Sequence, residues 1–169
     1  MMNKKTGSWF SRNKLIVSTI GVPVLAGVWW VFRPEKLFIN QQVNEAAPAG
    51  FGAEPEALYT GKLQGKIHQT GGRATIYRTA DGKQYLRLSD FATSNGPDVH
   101  LLLVRTEDKA LEQEIVKGEL DGVELGPLKG NQGDHNYDLP AVDLNKYQTV
   151  VVYCERFHAI FGVARLEKF

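Results

Sequence analysis

The sequence predicts an all-β domain, an antiparallel β-sandwich of about seven or eight strands, standing behind one transmembrane helix. Three observations carry this. From Leu58 onward, short runs rich in β-branched and aromatic residues alternate with Gly, Pro, Asn and Asp, the pattern of sandwiches and barrels. Near the C-terminus, Val150-Val-Val-Tyr-Cys154 and Ala159-Ile-Phe-Gly162-Val-Ala-Arg-Leu166 read as adjoining strands, split where Glu155 and Arg156 interrupt the apolar run. In the first of these, Val150, Val152 and Cys154 share one face, and Val151 and Tyr153 the other. Both sets are apolar, which marks a central strand covered on both sides. The third observation is Leu15 to Phe32, eighteen residues without a charge.

At helical rise that run spans roughly 27 Å, close to a hydrocarbon core of about 30 Å. Lys14 and Arg33 bracket it and can snorkel to headgroups. Trp9, Phe10, Trp29 and Trp30 stand where an aromatic belt would lie, and Pro23 is tolerated within a membrane. Lys4, Lys5, Arg12 and Lys14 precede the run with no acid among them, which predicts a cytoplasmic N-terminus and an outward C-terminal part, periplasmic or extracellular. A cleaved signal peptide ending at Val24-Leu-Ala26 is the competing reading. Against it, apolar residues continue through Val28-Trp-Trp-Val-Phe32. The expected organisation is a basic tail (1–14), a signal-anchor helix (15–32), a flexible spacer (33–57) and the β domain (58–169).

The spacer is inferred from composition, because residues 40–57 are rich in Ala, Pro, Gly and Glu. Beyond it, Tyr59–His68 and Arg73–Thr79 form an expected hairpin turning on Gly71-Gly72, and Asp81-Gly82 marks the next hairpin into Gln84–Ser89. Asn95-Gly96-Pro97 is a turn before the strand Asp98–Arg105. Residues 107–117 are the stretch suited to a helical turn or two. A β-like Val123–Leu125 follows, then the Gly-rich loop 126–133 and Asp134–Pro140, leading to the final strand pair.

Composition excludes several function classes. Residues 1–57 hold six Lys/Arg and four acids, and 58–169 hold fourteen and fifteen, so the β domain lacks the basic excess that nucleic-acid binding needs. The single cysteine, Cys154, rules out an internal disulfide, a Cys-x-x-Cys pair and a c-type haem motif. The Gly-rich tracts match neither a phosphate-binding nor a dinucleotide loop, and no nucleophile-elbow or zinc-protease motif appears. No cofactor or enzyme class is assigned by the residues alone.

Several ordered segments resemble the electron-transfer DM-thirteen domain family over about residues 59–166. They are Gly61-Lys-Leu, His68 and Gly72-Arg-Ala-Thr-Ile76; Leu86-Arg-Leu-Ser-Asp90-Phe91; Gly96-Pro-Asp98-Val-His100; Leu125-Gly-Pro-Leu-Lys-Gly-Asn131; Tyr137-Asp-Leu-Pro140; and Val151-Val-Tyr-Cys154 through Phe161-Gly162. The resemblance implies a small β-sandwich outside the membrane, with Cys154 in the position proposed for redox chemistry. Haem-binding relatives of the DOMON type use a Met–His pair. The only methionines here are Met1 and Met2, so that mode is not supported.

The residues leave the role of Cys154 open. One thiol can cycle through a sulfenic acid or a mixed disulfide, or ligate a metal. A reactive thiol must be exposed and ionisable, whereas a cysteine in an apolar strand commonly packs as a small hydrophobe. Simple alternation puts Cys154, Arg156 and His158 on one strand face, and His100 lies in another core strand. His100, Cys154 and His158 are thus candidates for a copper-type site lacking an axial Met. Asp90, Asn95, Asp98, Asp134, Asn136 and Asp138 are alternatively Ca²⁺ ligands or turn residues bonding their own backbone. Tyr77, Tyr85, Tyr137, Tyr147 and Tyr153 either line a binding surface or pack half-buried. The expectation is a tethered, outward-facing domain with a redox role at Cys154. The alternative is a cell-surface module that binds an unidentified protein or small molecule, with Cys154 as core filler.

Overall fold

The computed structural model describes residues 13–32, 39–48, 54–105, 111 and 120–169. The chain divides into two units, Met1–Glu35 and Lys36–Phe169. In the first, helix α1 spans Lys14–Phe32 and contains Pro23. Its described side chains are those of 18–30. Ile20, Val22, Val24, Leu25, Val28, Trp29 and Trp30 are all exposed, so apolar surface surrounds the helix rather than forming one stripe. No helix among the described residues is long and apolar enough to cross a membrane. The transmembrane helix expected at 15–32 is therefore not shown by the fold.

The second unit is two facing sheets. Its strands are β1 (Gln42–Asn44), β2 (Glu56–Lys62), β3 (Gln64–Gly65), β4 (Gly71–Arg78), β5 (Gln84–Ala92) and β6 (Val99–Val104), followed by β7 (Gly122–Pro127), β8 (Gln132–Asp138), β9 (Thr149–Cys154), β10 (Ala159–Arg165) and β11 (Glu167–Lys168). One sheet runs β1-β8-β5-β4-β2-β11 and the other β3-β10-β9-β6-β7. All described pairings are antiparallel except β1 with β8.

Alternation makes the core. Ala74, Ile76, Leu86, Leu88 and Tyr137 of the first sheet meet Leu101, Leu103, Val150, Val152 and Cys154 of the second. A one-residue bulge between Leu88 and Phe91 keeps both facing inward, and Asp90 absorbs it with φ 49°. The outer face of the second sheet carries a smaller cluster of Val104, Val151, Tyr153, Ile160 and Val163, covered by Leu111 and Leu120. Strand β9, between β10 and β6, is buried on both faces, as its two apolar sets predict.

Three expectations need correction. The 40–57 stretch is not spacer throughout, because it supplies β1 and the start of β2. Composition hid this, since β1 is held by backbone and polar groups rather than apolar anchors. The Gln41 carbonyl accepts from Asn131 N–H at 3.0 Å, and Asp134 O accepts from Glu45 N–H at 2.9 Å. Second, Gly71-Gly72 is not a hairpin turn. It lies at the start of β4, with Gly72 at φ 109° in a bulge where a Cβ would meet Ser89 and Asp90 carbonyls at 2.8 Å. The β2–β4 connection instead crosses to the other sheet through β3. Third, strand alternation stops at Cys154, because Glu155–His158 form a turn and His158 takes φ 48°. The suggested helical stretch 107–117 lies outside the described residues except for Leu111.

Candidate functional site

Cys154 is the last residue of β9 and is fully buried in the main core. Val99 of β6 and Ala159 of β10 are its backbone partners on either side. Its face is set by β9 alternation, which also sends the neighbouring Tyr153 to the opposite face. There the Tyr153 hydroxyl and His158 Nδ1 share a hydrogen bond of 2.8 Å. Burial raises the Tyr153 pKa, and the charge of Glu155 adds to it, so the phenol stays protonated.

The His100, Cys154 and His158 set does not assemble. His100 alternates with the inward Val99 and Leu101 and so faces outward, while Cys154 faces inward and His158 lies on the exposed turn. Arg156 also falls in that turn rather than on a continued strand face.

His100 instead stands among carboxylates. Its Nδ1 is 2.5 Å from Glu124 Oε1 on β7, and its Nε2 is 3.1 Å from Asp98 Oδ1. Glu155 lies on the same side, so that one ligand-type atom from each of Asp98, His100 and Glu155 falls within 4.8 Å of the others. The ties are local. Asp98 O accepts from Glu155 N–H at 2.9 Å, and the β6–β9 register pairs Val99 with Cys154 between them. A bulge opposite Leu101 and Leu102, with Gly126 at φ 119°, turns Glu124 toward His100. Burial pulls the His100 pKa down, but the bonds to Glu124 and Asp98 outweigh it and hold it above the ordinary value. Glu124 and Glu155 were not singled out as ligands in the sequence. The visible signal was Asp98-Val-His100, which puts two ligand types on one strand face.

The other histidines are separate. His135 is fully buried on β8, edge-on to Phe91, with Nε2 3.1 Å from the Gln132 carbonyl and Nδ1 without a partner. Burial lowers its pKa despite that bond. His68 packs on the Phe161 ring, centroids 4.0 Å apart, beside an open groove of about 800 Å³. Exposed Ile67, with Thr70 and Ser94, lines the same groove. Of the acid-loop residues, Asp134 holds Arg87 at 2.6 Å and accepts from Asp90 N–H at 3.0 Å, which is structural bonding within the first sheet.

The family described as "Electron transfer DM13" matches residues 62–166, from the end of β2 to the residue after β10. The chain therefore belongs to that family. Comparison with curated proteins found no match, and neither did comparison with solved structures.

Proposed function

We propose that this chain is a membrane-tethered, outward-facing electron-transfer domain in which Cys154 is the redox group. The observation that carries the reading is that the chain's one cysteine lies inside the matched span, at the end of the central strand. The tether is supported by the charge-free run 15–32 and by apolar side chains exposed all round the described part of α1. The basic flank before it supports a cytoplasmic N-terminus.

Burial limits the chemistry. A sealed thiol cannot attack a disulfide from this conformation, so exchange requires the turn Glu155–His158 to open. Once open, the Cys154 thiolate bonds to one sulfur of a partner disulfide and the other sulfur leaves as a thiol. The exchange conserves the number of disulfide bonds: Cys154 ends in a mixed disulfide with the partner, and the proton given up by its thiol is matched by the one taken up by the leaving sulfur. A second reading, a non-enzymatic binding module with Cys154 as core filler, is favoured by that full burial and by the open groove beside His68.

Alkylation of Cys154 separates the two, using the full chain in detergent, native and in urea. The redox reading expects slow but measurable native labelling that tracks local opening rather than global unfolding. Labelling only after global unfolding would leave the binding reading. Protease accessibility in intact cells tests the tether, with residues 36–169 expected to be cut from outside.

A further inference from the structure

We propose that Asp98, His100 and Glu155 bind a first-row divalent transition metal on the outer face of the second sheet, with Glu124 orienting His100. This goes beyond the thiol reading and does not depend on it.

The geometry is of the required kind. Two ligands about 2.0–2.2 Å from one metal stand roughly 2.8–3.6 Å apart when cis or tetrahedral. His100 Nε2 and Asp98 Oδ1 are 3.1 Å apart. A Glu155 carboxylate oxygen lies within 4.8 Å of the ligand atoms of Asp98 and His100, and its exposed side chain can close the remaining gap by a rotamer change. The outer partner is present as well. Metal-bound histidines donate their second ring N–H to a carboxylate, which fixes tautomer and ring plane. Glu124 stands 2.5 Å from His100 Nδ1, in that position, leaving Nε2 toward Asp98 and Glu155.

The scaffold is already ordered. Asp98 and Glu155 are joined through the main chain, and His100 is held by the β6–β9 and β6–β7 ladders. Its side chain is only 15 % exposed, so the imidazole is anchored while the carboxylates face solvent and offer an entry path. Three carboxylates around one imidazole leave net negative charge whether or not the ring is protonated. A divalent cation offsets most of it with two oxygen donors and one nitrogen. That donor set suits manganese, iron or zinc rather than calcium, which prefers all-oxygen cages. The site straddles the Val99–Cys154 pair but lies on the opposite face of the sheet from the thiol, because His100 alternates with the inward Val99 while Cys154 points into the core.

The test is calorimetric titration of the untagged full chain in detergent with Zn²⁺ and with Mn²⁺. One saturable site is expected for at least one of them. His100→Gln and Glu155→Gln should each weaken it at least tenfold, and Glu155, being exposed, should do so without disturbing the fold. Glu124→Gln should weaken it by roughly 10–100-fold, the range for a carboxylate behind a ligand histidine. Cys154→Ala should leave it unchanged, which keeps this result separate from the fate of the redox reading. As an independent readout, substoichiometric Mn²⁺ should broaden the His100 ring resonances before those of His68, His135 and His158. No saturable binding of either metal, or binding unaffected by both His100→Gln and Glu155→Gln, would overturn the proposal.

Discussion

Substituting Gly130 by Ala probes the least anticipated part of the fold, the strand β1 laid against β8. A Cβ at Gly130 would overlap the Gln41 carbonyl oxygen and stand 3.0 Å from Val43 Cγ2. Gly130 is not among the residues with positive φ, so the substitution acts by volume and not by backbone strain. What it displaces is held by polar groups. Gln41 O accepts from Asn131 N–H and Gln132 N–H, and Gln41 N–H donates to Asn131 Oδ1 at 2.7 Å. Glu45 receives Lys129 at 2.8 Å and Asn136 N–H at 2.7 Å, while its carbonyl receives Arg87 at 2.9 Å. At about 1 kcal/mol net per bond, these exceed by a small margin an ordering cost that starts at ~1 kcal/mol for each residue of the segment. The strap is thus held by only a few kcal/mol, and an overpacking cost of roughly 1–3 kcal/mol is enough to loosen it. Hydrogen exchange is the assay. The Gln41 and Glu45 amides should exchange at least about tenfold faster in Gly130→Ala, equivalent to ~1.4 kcal/mol, while Leu101 and Val152 amides keep their protection. Unchanged protection at Gln41 and Glu45 would refute the account of β1, as would loss of protection throughout the core.

Other perturbations follow from the same packing. Cys154→Ala should cost about 1–2 kcal/mol in urea unfolding, the price of a small core cavity, and Cys154→Ser should cost more because its hydroxyl enters an apolar site. Burial holds the His135 pKa below its ordinary 6.5, so the folded state binds fewer protons than the unfolded one. Its contribution is complete above about pH 6.5 and declines as pH falls through the depressed value. His135→Leu should flatten the pH dependence of unfolding in that window. Tyr153→Phe removes the 2.8 Å bond to His158 and should speed native alkylation of Cys154 several-fold without a comparable loss of global stability.

The sandwich was legible because burial leaves a period-two trace. The opposed sets Val150, Val152, Cys154 and Val151, Tyr153 identified β9 as central, and the cover supplied by Leu111 and by Leu120 explains why its second face is also apolar. Strand β1 was illegible because Gln42-Val-Asn44 docks through backbone bonds and glycine clearance, which leave no hydrophobic pattern. The thiol's face was read correctly, but the extension of that face to Arg156 and His158 failed at one turn. A single left-handed residue there changes which side chains meet. The carboxylates around His100 come from three separate segments and depend on a bulge in β7, so spacing along the chain could not assemble them.

The most direct test of the central claim is disulfide exchange at Cys154. The full chain in detergent is incubated with oxidised glutathione under native conditions and in urea, and mixed disulfide at Cys154 is followed by mass spectrometry. The account predicts native reaction slower than in urea, accelerated by Tyr153→Phe, and reversed by reduced glutathione. No mixed disulfide under native conditions, with full reaction in urea, would contradict a redox role and leave Cys154 as a core residue of a binding domain.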